Sequence, residues 1–185
     1  MTEQQLSGRT VAFLVGTEGI EQVELTDPWQ AVVDAGARPV LVSIENGEVQ
    51  AFNHLDKADT FPVDAVVGDV SVDDYDALVL PGGVANPDQL RTHEGAVGFV
   101  RDFLATGKPL AAICHAPWTL VEAGVLRDRE LTSWPSLQTD IRNAGGRWVD
   151  QEVVVDGNLI TSRNPDDLPA FCRELTGALA QGGAA

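Results

Sequence analysis

A chain of 185 residues with a formal net charge of −16 is long enough for one domain with a substantial core, and its charge disfavours binding to DNA or to an anionic membrane by bulk electrostatics. No apolar run of about 18 residues and no basic leader followed by an apolar segment occurs, which excludes a membrane span and a signal peptide and leads us to expect a cytoplasmic protein. Cys114 and Cys172 show neither CxxC nor Cys/His zinc spacing, so neither a disulfide framework nor a structural metal is expected, and no motif calls for a cofactor.

Only two lysines, Lys57 and Lys108, stand beside ten arginines, and the acidic surface reads as a device for solubility. A single domain is expected over 1–185, with an ordered core at about 9–180 and frayed ends at 1–8 and 181–185.

Thr10 to Val15 is a β-branched and apolar run that ends at Gly16, a first strand. A loop from Thr17 to Gln22 leads to a helix over Glu24 to Ala35, with Pro28 in its first turn and Gly36 as its stop. Pro39 to Ile44 is the second strand, giving the β-α-β unit of a parallel sheet. Glu45 to Val72 breaks into short alternating pieces around Asn46-Gly47, the pattern of a small hairpin excursion. Tyr75 to Leu80 is again a buried strand, ended by Pro81-Gly82-Gly83. Glu94 to Thr106 is an amphipathic helix closed by Gly107.

Pro109 to Ile113 is a short apolar strand pattern, and Ala116 to Ala123 takes up helical spacing until Gly124. Further on, Glu130 to Thr132 reads as a short strand and Leu137 to Ala144 as a helix. Residues 152–156 and 158–161 alternate around Asp156-Gly157 as a hairpin. Asn164-Pro165-Asp166-Asp167 opens a final helix with a capping residue, a proline and first-turn acids. Strands alternating with helices throughout predict an α/β fold, a three-layer α/β/α sandwich with a mainly parallel, flavodoxin-like sheet.

The join between strand and helix at Ala112-Ile113-Cys114-His115-Ala116 has the small-x-nucleophile-x-small form of a nucleophile elbow. A cysteine there projects at the carboxyl edge of the sheet beside a helix N-terminus, which predicts a thiol more acidic than usual. A cysteine after isoleucine is also an ordinary small core residue.

Three loops leave strand ends on this edge, where open α/β sheets collect ligands. One carries Glu18, Glu21 and Glu24, one the paired glycines, and one Cys114. Glu24 opens a helix face that continues into apolar positions, so its carboxyl is expected beside the thiol, protonated and donating a hydrogen bond to it. The amides of Gly83 and His115 are candidates for an oxyanion hole. His115 is the one histidine adjacent to the thiol in sequence and a candidate base that takes the thiol proton and returns one to a leaving group, provided an acid orients its other nitrogen; because neighbours at an elbow diverge, a ring pointing across the strand edge is the alternative. His54 and His93 read as surface histidines.

The segments Phe13 to Pro28, Asp76 to Gly83, Gly107 to Pro117, Ala123 to Leu126 and Asn143 to Leu168 together resemble the PfpI branch of the DJ-one/PfpI superfamily, and the likeness covers nearly the whole chain. It implies the flavodoxin-like fold shared with class I glutamine amidotransferases. It also implies that Cys114 is the nucleophile, Glu24 the acid at its sulfur, Glu21 a second pocket acid, and Gly83 and His115 the oxyanion amides.

In the peptidase-like members the histidine pairs with a glutamate from a neighbouring subunit. The position here is Asp88, one methylene shorter. Trp134 stands where those members have a tyrosine and removes a hydroxyl from the pocket.

The resemblance implies a cytoplasmic stress-response protein, a homodimer or higher homo-oligomer. Its cysteine would act on a small-molecule carbonyl substrate or a modified protein, in the manner of a glyoxalase or deglycase. The alternatives are a noncatalytic cysteine-oxidation sensor and an oligomeric Cys-His-Asp peptidase. A glutaminase is disfavoured, because no histidine follows His115.

Overall fold

The computed structural model describes residues 6–182; the remainder of the expected frayed ends, 1–5 and 183–185, lies outside the described residues. In chain order, β1 (Thr10–Val15), β2 (Glu18–Glu21) and α1 (Gln22–Asp34) are followed by β3 (Arg38–Ser43), β4 (Glu48–Asn53), β5 (Asp56–Pro62), β6 (Ala65–Val66) and β7 (Ala77–Leu80). Then come α2 (Ala85–Leu90), α3 (Glu94–Ala105), β8 (Leu110–Ile113), α4 (Pro117–Ala123) and β9 (Glu130–Leu131). Last are α5 (Gln138–Asn143), β10 (Arg147–Trp148), β11 (Val154–Asp156), β12 (Leu159–Ser162) and α6 (Leu168–Gln181).

Seven strands form the main sheet in the order β11-β12-β8-β7-β1-β3-β6. Its pairs are parallel except β11, which folds back on β12 around Asp156-Gly157. Successive residues of a strand face opposite sides, so one apolar run supplies two cores. Along β1, Ala12 and Leu14 pack with Leu90, Val100, Phe103, Leu120 and Ile141 from α2 to α5. Phe13 and Val15 pack on the other side with Leu25 and Val32 of α1 and Phe171 and Leu175 of α6. This is the expected three-layer α/β/α arrangement.

Several boundaries differ from the sequence reading. The segment read as a loop from Thr17 to Gln22 contains β2, because the β4–β5 hairpin offers an edge to which it adds in parallel. The helix α1 starts at Gln22, so Pro28 falls in its second turn, and the amide it lacks leaves the Glu24 carbonyl without an intrahelical donor. A short helix, α2, follows Pro81-Gly82-Gly83 where none was expected. Leu6, placed in a frayed end by sequence, is buried, and its amide donates to the Ala35 carbonyl at 3.2 Å. Asn164 caps a 3-10 turn over Pro165–Asp167, its Oδ1 accepting from the Asp166 amide at 2.9 Å, and α6 proper begins only at Leu168.

Phe171 has no exposed surface and is the largest buried side chain that α6 contributes to the core. Phe171→Ala is expected to lower stability by about 3–5 kcal/mol, read as a shift in the urea unfolding midpoint at unchanged slope.

Candidate active site

The chain passes from β8 to α4 through Cys114, whose φ is +64°. A non-glycine residue adopts this left-handed conformation only when its surroundings hold it there, at a cost of about 1–3 kcal/mol. Here the Cys114 amide donates to the Ser162 carbonyl at 3.0 Å, and its carbonyl accepts from the Trp134 amide at 2.9 Å. Pro117 then opens α4, where a missing N–H leaves no helical bond unmade. The sharp reversal lifts the side chain above the sheet edge, although Cys114 itself stays buried.

Beside it lies Glu24, the first-turn acid of α1. Its side chain is completely buried, and neither carboxyl oxygen has a partner in good hydrogen-bond geometry. Gly82 separates the two groups. A Cβ at Gly82 would collide with Glu24 Oε2 and sit 2.6 Å from Cys114 Cβ and 2.7 Å from the Ile113 carbonyl oxygen. Absence of a side chain at this one position therefore brings acid and thiol together. Burial, reinforced by the negative charge of Glu21, raises the Glu24 pKa from 4.5 to about 8; the Cys114 thiol and the amides of Gly82 and Gly83 pull weakly the other way. The carboxyl is protonated at neutral pH.

The thiol departs from expectation. Burial and the neighbouring Glu24 push the Cys114 pKa up, against the amides of Gly83 and His115, which favour the thiolate. The helix expected to acidify it is only seven residues long and begins three positions later, so desolvation wins over the helix end. The resting pair is a thiol beside a neutral acid.

For the imidazole of His115 the structure decides between the two placements left open by the sequence. It does not diverge from the sulfur: Nδ1 lies 3.2 Å from Cys114 Sγ. The left-handed turn at Cys114 brings the two side chains to one side. The ring is stacked on Trp134, with centroids 5.6 Å apart and planes at 21°, and is tilted against Trp118 at 5.2 Å. Burial lowers its pKa, so the ring is neutral at neutral pH.

Gly83, at φ +83°, completes the floor, and a Cβ there would run into the Gly19 carbonyl. The loop is clamped by a residue that sequence reading missed. Asn86 of α2 is buried; its Oδ1 accepts from the Gly16 amide at 2.7 Å, and its Nδ2 donates to the carbonyls of Pro81 and Gly82 at 2.9 and 3.1 Å. An asparagine three residues beyond a Pro-Gly-Gly break was the available signal, since a buried amide there can satisfy loop backbone.

A cavity of about 350 Å³ opens above the thiol. Glu21, Glu24 and Trp134 line it as the sequence suggested, joined by Phe52, Leu55 and Pro165, which it did not. His54 is exposed, as expected for a surface histidine, yet it stands at the cavity rim and its amide donates to Glu21 Oε2 at 3.0 Å. His93 caps α3 by accepting from the Ala96 amide. Asp88 is exposed on α2, outside the cavity lining.

The raised Glu24 pKa fixes a pH dependence. The unfolded chain ionises this group near 4.5 whereas the folded chain holds its proton to about 8. Stability is therefore expected to fall between those values, with a slope approaching about 1.4 kcal/mol per pH unit. Urea unfolding across this range should show the fall in the wild type and its loss in Glu24→Gln.

The sequence and fold have clear counterparts. Residues 9–178 match the model of the DJ-1/PfpI family. The protein named Deglycase PH1704 from Pyrococcus horikoshii is 43% identical over 165 residues, covering 89% of this chain and 96% of its own. General stress protein 18 of Bacillus subtilis is 40% identical over 168 residues, 90% of this chain and 95% of its own. A solved two-domain protein from Anabaena variabilis, with DJ-1/ThiJ/PfpI-like and ferritin-like domains, superposes with a TM-score of 0.88 at 32% identity over 95% of this chain and 49% of that one. With nearly all of the described residues matched and the elbow thiol, its buried acid and the glycine break in collinear segments, the chain belongs to the DJ-1/PfpI family.

Proposed function

We propose that the protein is a cytoplasmic, stress-protective cysteine enzyme of deglycase type, which removes a small α-oxoaldehyde such as methylglyoxal from the groups it has modified. The observation that carries this reading is the composition of the site: a thiol with an imidazole nitrogen at 3.2 Å and a fully buried acid with no partner in good hydrogen-bond geometry. The relatives named as a deglycase and as a general stress protein support it.

For an amine adduct, R–NH–CH(OH)–CO–CH3, sulfur replaces nitrogen at the carbinol carbon. The C–S bond forms, the C–N bond breaks, and the thiol proton, relayed by His115 Nδ1, leaves on the amine. Glu24, protonated at rest, gives its proton to the ketone oxygen and takes the proton from the carbinol carbon, leaving an enediol. It then delivers a proton to the former ketone carbon and takes the one on the first carbon's hydroxyl, steps that its pKa of about 8 allows near neutrality. The product is a lactoyl thioester on Cys114. Water cleaves it, lactate leaves, and the thiol is restored. Negative charge that develops on oxygen in these steps faces the amides of Gly83 and His115, which already point at the sulfur. Free methylglyoxal enters the same sequence by direct addition of the thiol to its aldehyde.

Asp88 extends the proposal to assembly. Its exposed position on α2, one turn beyond Val84 and Ala85 of the cavity, suits a contribution to a second copy's His115 in a homodimer or larger ring.

Lactate release from methylglyoxal-modified Nα-acetyl-lysine amide should disappear in Cys114→Ser and fall by about 10²-fold or more in Glu24→Gln. Undiminished release by Cys114→Ser would refute the cysteine mechanism. Light scattering should find more than one copy, and Asp88→Asn should lower kcat without changing assembly; a monomer of full activity removes the subunit-shared acid.

A further inference from the structure

We infer that Asp167 is a positioning residue for Cys114, acting through a single peptide group to hold the strained turn in which the thiol sits. The inference rests on the reading of Cys114 as the nucleophile, and adds the group that keeps it in place.

Two hydrogen bonds keep the left-handed backbone of Cys114: its amide donates to the Ser162 carbonyl at 3.0 Å, and its carbonyl accepts from the Trp134 amide at 2.9 Å. Both partners lean on the end of β12. The Thr132 amide donates to Thr161 Oγ1 at 3.0 Å, which fixes the loop that carries Trp134, and Ser162 Oγ donates to the Glu152 carbonyl at 2.6 Å. β12 ends at Ser162. The next amide, that of Arg163, donates to Asp167 Oδ2 at 2.9 Å.

The bonds to Cys114 and to Asp167 share one peptide group. The Ser162–Arg163 peptide is trans, so its carbonyl and its N–H point to opposite sides of one rigid plane. The carbonyl takes the Cys114 amide and the N–H is tied to Asp167, so a tilt at one end tilts the other. The carboxylate is itself held. Arg163 Nε and Nη2 donate to its Oδ2 and Oδ1, each at 2.9 Å, while Nη1 reaches Asp150 Oδ1 at 2.8 Å. These charge-assisted bonds offset the burial of a carboxylate only 3% exposed. Pro165, inside the turn that this clamp closes, lines the cavity.

Asp167 stands where a helix cap would. It immediately precedes α6, yet its side chain accepts from none of the helix amides, the ordinary use of an aspartate at that place. Its oxygens turn back to the strand end instead, which is the side that meets the elbow.

Asp167→Ser separates the two roles, because a serine hydroxyl can cap α6 but falls one atom short of the Arg163 amide. In the folded variant, kcat for lactate release should fall by about tenfold or more at little-changed KM. Hydrogen exchange followed by NMR should quicken at the Cys114 amide by at least about tenfold more than at the α6 amides beyond Phe171. Asp167→Asn keeps the size and an acceptor oxygen, and should return both quantities to within about threefold of the wild type.

A folded Asp167→Ser in which kcat is unchanged, or in which the Cys114 amide quickens no more than those of α6, overturns the inference and leaves the deglycase reading standing. A wild type without turnover refutes the deglycase reading, and the exchange rates alone then decide the role of Asp167. Should neither variant fold, native-state exchange of the wild type in increasing urea replaces them. The Cys114 and Arg163 amides should open together with one urea dependence; separate openings overturn the coupling.

Discussion

The contact between Glu24 and Cys114 across Gly82 is the constraint on which the rest of the site depends. A carboxyl without exposed surface and without a hydrogen-bond partner in good geometry is unfavourable to bury in its charged form, and the fold meets that cost by keeping it protonated. Its neutrality determines the chemistry. A carboxylate in the same place would repel a thiolate, whereas a carboxylic acid supplies a proton near the sulfur and can hold one during turnover.

Several unrelated parts of the chain serve that contact. β8 and the Ser162 and Trp134 backbone groups hold Cys114 in its left-handed turn. The lack of a side chain at Gly82 leaves room for the two groups to meet, and Asn86 fixes the loop that contains it by bonding three backbone groups at once. Each is a local feature with little meaning alone. Together they place a thiol in a strained turn, a buried acid and the amides of Gly83 and His115 within one small volume.

The tryptophans set a second layer. Trp134 and Trp118 confine the His115 ring, while the Trp118 indole donates to Asp140 Oδ2 at 2.9 Å and its ring lies under the Arg91 guanidinium at 5.6 Å. They leave a desolvated, neutral imidazole 3.2 Å from the sulfur. Where a tyrosine hydroxyl would place a donor in the pocket, Trp134 places an apolar face, and the site becomes an apolar collar over an acidic floor.

The sequence by itself determined the layers of the fold and the place of Cys114 at the strand-to-helix elbow. Apolar runs bounded by glycine and proline mark strands buried on both faces, and the small residues around Cys114 mark the elbow, because both signals are local and set by backbone sterics. Glu24 was legible for the same reason, as an acid on the apolar face of a helix. What only the tertiary structure decided is the electrostatic state of the site. The thiol is less acidic than its helix-end position suggested, because desolvation by residues distant in sequence outweighs a short helix. The His115 ring meets the sulfur because the positive φ of Cys114 turns it inward; Phe52 and Leu55 reach the cavity through the β4–β5 hairpin, and Asn86 reaches the glycine loop through a short helix, none of which a local pattern specifies. Protonation and proximity depend on what surrounds a group in space, and spacing along the chain does not fix that.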